Sequence, residues 1–116
     1  MLAPFAAVDA AYLFGSQAKG TASAASDVDI ALILEPGAPA DSKTMVRRAL
    51  ERELELEVDL IDLLSAPADL VHRILRDGTL VIDRNRKRRL SIEVQRRAEF
   101  LDLKPYLDHY RDQATR

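Results

Sequence analysis

At 116 residues the chain has room for one domain with one modest core and no natural place to divide it. Hydrophobic residues make up 47% and charged residues 31%, too apolar for a disordered chain and ordinary for a folded one. A net charge of -2 and a pI near 5.7 argue against a general nucleic-acid-binding surface, since neutralising several phosphates at once takes an excess of Lys and Arg. The longest apolar run, Ile30 to Leu34, is far short of the roughly 20 residues that span a bilayer, and no basic-then-apolar leader opens the chain, so no membrane contact and a cytoplasmic location are expected. Without cysteine, and with only His72 and His109 to supply imidazole, any metal site must be built mainly from oxygen.

Taken in order, Ala11 to Phe14 is a short apolar run that ends at Gly15, a buried strand breaking into a turn. Small and polar residues then run from Gly15 to Ser26 as a loop. Val28 to Leu34, β-branched and aliphatic and stopped by Pro36-Gly37, reads as a central strand. Asp41 or Ser42 can cap the next segment, where Met45, Val46, Ala49, Leu50 and Leu54 recur at helical spacing and Arg47, Arg48, Glu51, Arg52 and Glu55 take the outer face. Val58 to Leu64 is another strand. Pro67 opens a second helix through Leu70, Val71, Ile74 and Leu75, which Asp77-Gly78 ends as a helix-terminating glycine. Thr79 to Ile82 is a fourth strand. After the basic run of Arg84, Arg86, Lys87, Arg88 and Arg89, the residues Leu90, Val94, Ala98 and Leu101 mark the apolar face of a last helix that Pro105 should break or kink. Strands alternating with helices over so short a chain imply an α/β (α+β) fold, a small mixed sheet with helices packed on it. The whole of 1–116 is read as a single domain with its core in 11–83 and a C-terminal helical segment over 85–113.

The chemistry concentrates in Gly15-Ser16-Gln17-Ala18-Lys19-Gly20 and Ser26-Asp27-Val28-Asp29. Asp27 and Asp29 are two apart at the start of a strand, so both side chains leave the same face of the sheet. Two carboxylates in one small volume repel unless one is protonated or a divalent cation supplies the missing charge. Magnesium suits hard oxygen ligands and completes its shell with water and substrate phosphates, which makes an NTP the natural substrate. Gly15 lets the backbone approach a phosphate, Ser16 offers a hydroxyl and an N–H, and Lys19 a point charge. A third carboxylate is expected on a neighbouring strand as metal ligand and proton acceptor. Asp59 and Asp62 both qualify by location; Asp59 is chosen because it lies within the strand, whereas Asp62, nearer its end, suits a cap on the turn before Pro67.

Gly15-Ser16, ten residues, then Asp27-Val28-Asp29 resembles the signature of the DNA polymerase β-like nucleotidyltransferases. Tyr12-Leu13-Phe14-Gly15-Ser16, Ala18-Lys19-Gly20, Val58-Asp59-Leu60 and Leu75-Arg76-Asp77-Gly78 look more narrowly like the minimal nucleotidyltransferase (MNT) proteins. The resemblance implies the nucleotidyltransferase fold, with Gly15 and Ser16 on the triphosphate, Asp27 and Asp29 binding two magnesium ions, and Asp59 as third ligand and base. It also implies an antitoxin that transfers AMP from ATP to a tyrosine of a cognate HEPN RNase toxin. Such proteins usually carry a longer helix before the first strand; here only Met1 to Ala10 precede it, so either the true start lies upstream or that helix is lost, and its loss would leave apolar sheet surface open and favour a homo-oligomer or hetero-complex.

Two other functions compete. One is a non-catalytic antitoxin that neutralises its partner by binding; the other is a transferase for a small molecule, disfavoured because no residues remain for a separate acceptor domain. The run Arg84 to Arg89 and the residue His72 read as solvated or boundary groups, and Tyr106, His109 and Tyr110 as an amphipathic cluster that packs on the domain or meets a partner.

Overall fold

The computed structural model describes residues 5–15 and 28–114. Along the chain run β1 (Val8–Phe14), β2 (Val28–Leu34), α1 (Ser42–Leu54), β3 (Val58–Asp62), α2 (Ala68–Asp77), β4 (Thr79–Asp83) and α3 (Arg86–Ala114). The strands form one mixed sheet in the order β3-β2-β1-β4. β1 is antiparallel to both β2 and β4, and β2 is parallel to β3 because α1 carries the chain back between them.

Alternation along the two inner strands separates the core into two faces. On one, Ala10, Tyr12, Ala31 and Ile33 pack with Leu63, Val71 and Ile74 beneath α2 and α3. On the other, Ala11, Ile30 and Leu32 pack with Val58, Leu60 and Val46 of α1. Val28 to Leu34 is thus a central strand, as its run of branched residues requires.

Four features differ from the expectation, besides a β3 that ends at Asp62, two residues before the predicted Leu64, where the chain turns and Asp62 accepts the Leu64 N–H. β1 starts at Val8, three residues before the apolar run suggests. The charge of Asp9 hid this extension; its carboxylate is paired with Arg88 at 2.8 Å, and its carbonyl accepts from the Arg84 N–H. Gly78 ends α2 without a left-handed turn: its φ is -76°, and glycine is required by space, since a Cβ there would lie 2.5 Å from the Ile74 carbonyl oxygen and 3.2 Å from that of Leu13. Pro105 does not break α3, which continues to Ala114. A helical proline leaves the carbonyl four residues back without its N–H, and here both Pro105 and Leu101 are exposed, so water can take that role.

The fourth difference is the orientation of α3. Leu90, Val94 and Leu101 are 42%, 66% and 64% exposed and Ala98 is exposed with them, so the apolar stripe read from the sequence faces away from the sheet. The buried side presents Ile92 and Glu93, and Phe100 stacks on half-buried His72 with ring centroids 3.9 Å apart. Polar ties hold that side. The Tyr12 hydroxyl donates to Glu93 Oε2 at 2.8 Å, and Arg89 bridges Glu93 (2.5 Å) and Asp83 (3.0 Å). Burial, and then the hydrogen bond to the Glu93 carboxylate, push the Tyr12 phenol well above its ordinary range. Arg88 donates to Asp9 and the Leu34 carbonyl, and Arg84 to that of Phe5. The basic run is therefore not simply a solvated face: three of its five cations clamp α3 and β4 to the far end of β1 and β2. Open apolar sheet surface occurs on the edge strand, where Leu80 is 37% and Val81 53% exposed. Of the C-terminal cluster, only His109 is a described side chain, and it is exposed. Among the described residues no helix is long and apolar enough to cross a membrane.

Candidate active site

Asp29 is the second residue of β2, between buried Val28 and Ile30, which point toward α1. Alternation turns its carboxylate to the opposite face, the side of Ala31 and Ile33. Asp59 stands directly beside it in the parallel register of β2 and β3, while Phe14 pairs with it from β1. Neighbouring strands lie about 4.8 Å apart, so the two carboxylates project from one face at adjacent positions. Asp29 is half-buried and Asp59 exposed on the edge strand.

Gly15 follows Phe14 with φ 77°, in the left-handed region that side chains disfavour. A Cβ there would also come within 2.5 Å of Asp29 Oδ2. Glycine is thus demanded twice, by the turn and by the carboxylate folded over it. The start of β3 is fixed by two further bonds: the Val58 N–H donates to Glu51 Oε2 of α1 at 3.0 Å, and the Val28 N–H to the Glu57 carbonyl at 2.9 Å. Together they hold Asp59 in register with Asp29.

Asp27, Ser16 and Lys19 lie outside the described residues. Among those described, no group of three His, Asp or Glu side chains converges to hold a metal ion; Asp29 and Asp59 contribute two adjacent oxygen donors. Asp62 does something else, since its Oδ1 accepts the Leu64 N–H at 2.9 Å and so caps the turn after β3.

Two clefts lie near this pair, one on each face of the sheet. One of about 290 Å³ lies on the β1 side, where Phe14, Gly15, Leu70 and Ile74 are rimmed by Arg73 and Arg76, the latter paired with Asp77 at 2.8 Å. The other, about 310 Å³, lies on the β3 side and is lined by Asp59, Leu60, Lys43, Thr44 and Arg47. A wider hollow of about 590 Å³ over the first turns of α3 contains none of the expected site residues among its lining and has no acidic side chain to offer a cation. Sequence reasoning placed Arg47 on a solvated face and gave Lys43 and Thr44 no role. The available signal was the i, i+4 spacing of Lys43 and Arg47 on the helix that leads into the Asp59 strand.

The family model described as polymerase beta, nucleotidyltransferase, matches residues 1–87. The chain belongs to this nucleotidyltransferase family. It is 34% identical over 67 residues to the protein adenylyltransferase MntA of Shewanella oneidensis, a match covering 58% of this chain and 48% of that protein. The chain therefore spans about half the length of the curated relative it matches. Among solved structures, it resembles a chain of a toxin-antitoxin assembly with AMP-PNP, with a TM-score of 0.77 at 24% identity over 95% of this chain and 88% of that one. A second likeness is to a complex of tri-AMPylated Shewanella oneidensis HEPN toxin with its MNT antitoxin, with a TM-score of 0.73 at 20% identity, covering 97% of this chain and 87% of that one. At these identities the structural likeness establishes that this nucleotidyltransferase shares their fold.

Proposed function

We propose that this nucleotidyltransferase is a protein adenylyltransferase that moves AMP from ATP to a hydroxyl, a tyrosine of a cognate HEPN toxin, and so acts as the antitoxin in the cytoplasm. The observation that carries the reading is the register match of Asp29 and Asp59 beside a glycine turn that only a side-chain-free residue can make. The relative named as a protein adenylyltransferase and the fold shared with AMP-PNP-bound and AMPylated complexes support it.

Adjacent carboxylates with hard oxygen donors suit magnesium, and Asp29 and Asp59, with Asp27, are the residues that would hold it, two ions being expected. Bound there, magnesium supplies charge neutralisation for the triphosphate and for the attacking and leaving oxygens. Gly15 brings the backbone close to the phosphates, and Ser16 and Lys19, which follow it in the sequence, are the further groups expected to meet them. Asp59 accepts the proton of the acceptor hydroxyl, whose oxygen bonds to the α-phosphorus as the bond from that phosphorus to the bridging oxygen breaks. AMP ends on the acceptor and pyrophosphate leaves.

Labelled AMP transfer from ATP with magnesium, with the chain and its partner present, tests this directly. Label should appear on the partner and vanish with Asp27→Asn/Asp29→Asn. A second reading, neutralisation by binding alone, draws on the exposed stripe of Leu90, Val94, Ala98 and Leu101, a surface suited to a partner. Neutralisation that survives the double substitution, with no label under any NTP, would replace the first reading with the second.

A further inference from the structure

Asp29 and the cleft beneath α2 are joined at Gly15. The Asp29 carboxylate projects to the face of Ala31 and Ile33, and it lies so close to Gly15 that a Cβ there would meet its Oδ2 at 2.5 Å. Gly15 in turn lines the cleft of about 290 Å³ together with Phe14, Leu70, Arg73 and Ile74. Leu70, Arg73, Ile74 and Asp77 recur at three- and four-residue spacing, so one face of α2 closes this cleft over the end of β1. The C-terminal end of α2 is seated on β1, where glycine at position 78 leaves room beside the Leu13 carbonyl. Crossing this face of the sheet from its β3 edge, the order is Asp59, Asp29, the Gly15 turn and then Arg73.

The two arginines of the cleft are not equivalent. Arg76 donates to both carboxylate oxygens of Asp77, at 2.9 and 2.8 Å. Arg73 is exposed and has no ion pair among the described residues. Lys43 and Arg47 have none either, but they line the cleft on the opposite face of the sheet, where the Asp29 carboxylate does not point. On the face of the carboxylates, the cation beside the glycine turn that is left for a ligand is Arg73.

We propose that Arg73 is a nucleotide-binding residue that holds the β- and γ-phosphates of the NTP, and so the pyrophosphate as it leaves. The assignment rests on the transferase reading above. Asp29 and Asp59 fix where the reacting α-phosphate lies, because the metal ions they would hold must touch its oxygens. Of the two ends of the nucleotide, the polyphosphate is the one that matches what lies beyond Asp29: bare backbone at Gly15, then a guanidinium. Guanidinium stays protonated and can bond two phosphate oxygens at once, which suits a leaving group on which negative charge builds as the bond to the α-phosphorus breaks.

The test titrates the full chain calorimetrically with ATP, AMP and inorganic pyrophosphate, each with magnesium, and follows AMP transfer to the partner by label. Arg73→Ala should weaken ATP and pyrophosphate by about tenfold or more while AMP stays within about twofold, and KM for the acceptor should not move. Arg73→Lys should recover part of the loss, since it keeps the charge without the fork. Lys43→Ala/Arg47→Ala, on the opposite face, should leave all three affinities within about twofold. All these side chains are exposed, so the melting temperature should hold in each variant. ATP and pyrophosphate affinities that ignore Arg73→Ala, an equal loss for AMP, an equal loss in Lys43→Ala/Arg47→Ala, or no binding of ATP or pyrophosphate by the native chain overturns the assignment. If the binding pattern is as expected but no partner is labelled with any NTP, the phosphate site stands and the transferase reading falls. Label transfer by Arg73→Ala at an unchanged KM for ATP keeps the transferase reading and removes this one.

Discussion

The two ends of the sheet handle charge in opposite ways. At the end where β1 begins and β2 and β4 finish, Asp9, Asp83, Glu93, Arg88 and Arg89 are bound to one another, and the sequence-distant α3 is fastened down by them. Where β1 ends and β2 and β3 begin, Asp29 and Asp59 stand side by side on one face, with exposed Lys43 and Arg47 close to Asp59. Paired charges fix a structure; two carboxylates at adjacent positions on one face are an arrangement that a cation can bind. The lesson is that burial and pairing between distant segments, more than the count of charged residues, mark the end that holds the fold together.

Breaking the first end should cost the most stability. Glu93→Ala strands Tyr12 and Arg89 without their shared acceptor and should destabilise the fold by about 3 kcal/mol or more, read from a denaturant melt, with transfer per folded molecule preserved. Asp59→Asn should do the reverse, lowering AMP transfer by at least about a hundredfold while the melting temperature holds or rises, because one of two neighbouring like charges is gone. Gly15→Ala joins the two kinds of effect: strain at φ 77° and the 2.5 Å approach to Asp29 Oδ2 should cost about 1 to 3 kcal/mol and depress transfer as well.

Tyr12→Phe should cost about 1.5 kcal/mol. The phenol's raised folded-state pKa also sets a pH dependence. The folded protein holds the Tyr12 proton more tightly than the unfolded chain does, so this contribution is complete below the unfolded value of about 10 and is lost as pH rises above it. Tyr12→Phe should therefore flatten the alkaline limb of a stability-against-pH curve; an unchanged limb would mean that other groups govern it. The smallest effect belongs to Glu51→Ala, which frees the Val58 N–H at the start of β3 and should cost about 1 kcal/mol with a transfer loss of less than about tenfold.

The placement of Asp29, Asp59 and Gly15 was legible because it follows from short-range rules. Spacing by two put Asp29 opposite its buried neighbours, a glycine beside a strand end marked the turn, and the strand that holds Asp59 was visible in Val58 to Leu64. The clamping end was not, since it depends on pairings between distant segments that no periodicity reports. Asp9 looked like the residue that kept a strand from starting, until Arg88 supplied its partner from 79 positions away. The same network explains the inverted α3. Leu90, Val94, Ala98 and Leu101 have the spacing of a core-facing stripe, yet Glu93, Arg89 and Tyr12 fix the other side of the helix inward. Cleft-lining Lys43, Thr44 and Arg47 were hidden for a related reason: an exposed cation on a helix looks alike whether it faces bulk water or the rim of a cleft beside a neighbouring strand.

The place of β1 in the sheet also has a bearing on how the molecule is assembled in time. This strand is synthesised first, yet one of its two neighbours, β4, arrives only after α1, β3 and α2 have been made. Closing so long a loop is entropically costly and slow compared with forming a helix or a hairpin. A nascent chain can build the β1-β2-β3 portion early, while one edge of β1 waits for its partner. Refolding should accordingly be limited by docking of β4 and α3, and substitutions at Asp83 or Arg89, whose pairing forms in that step, should slow folding more than they speed unfolding.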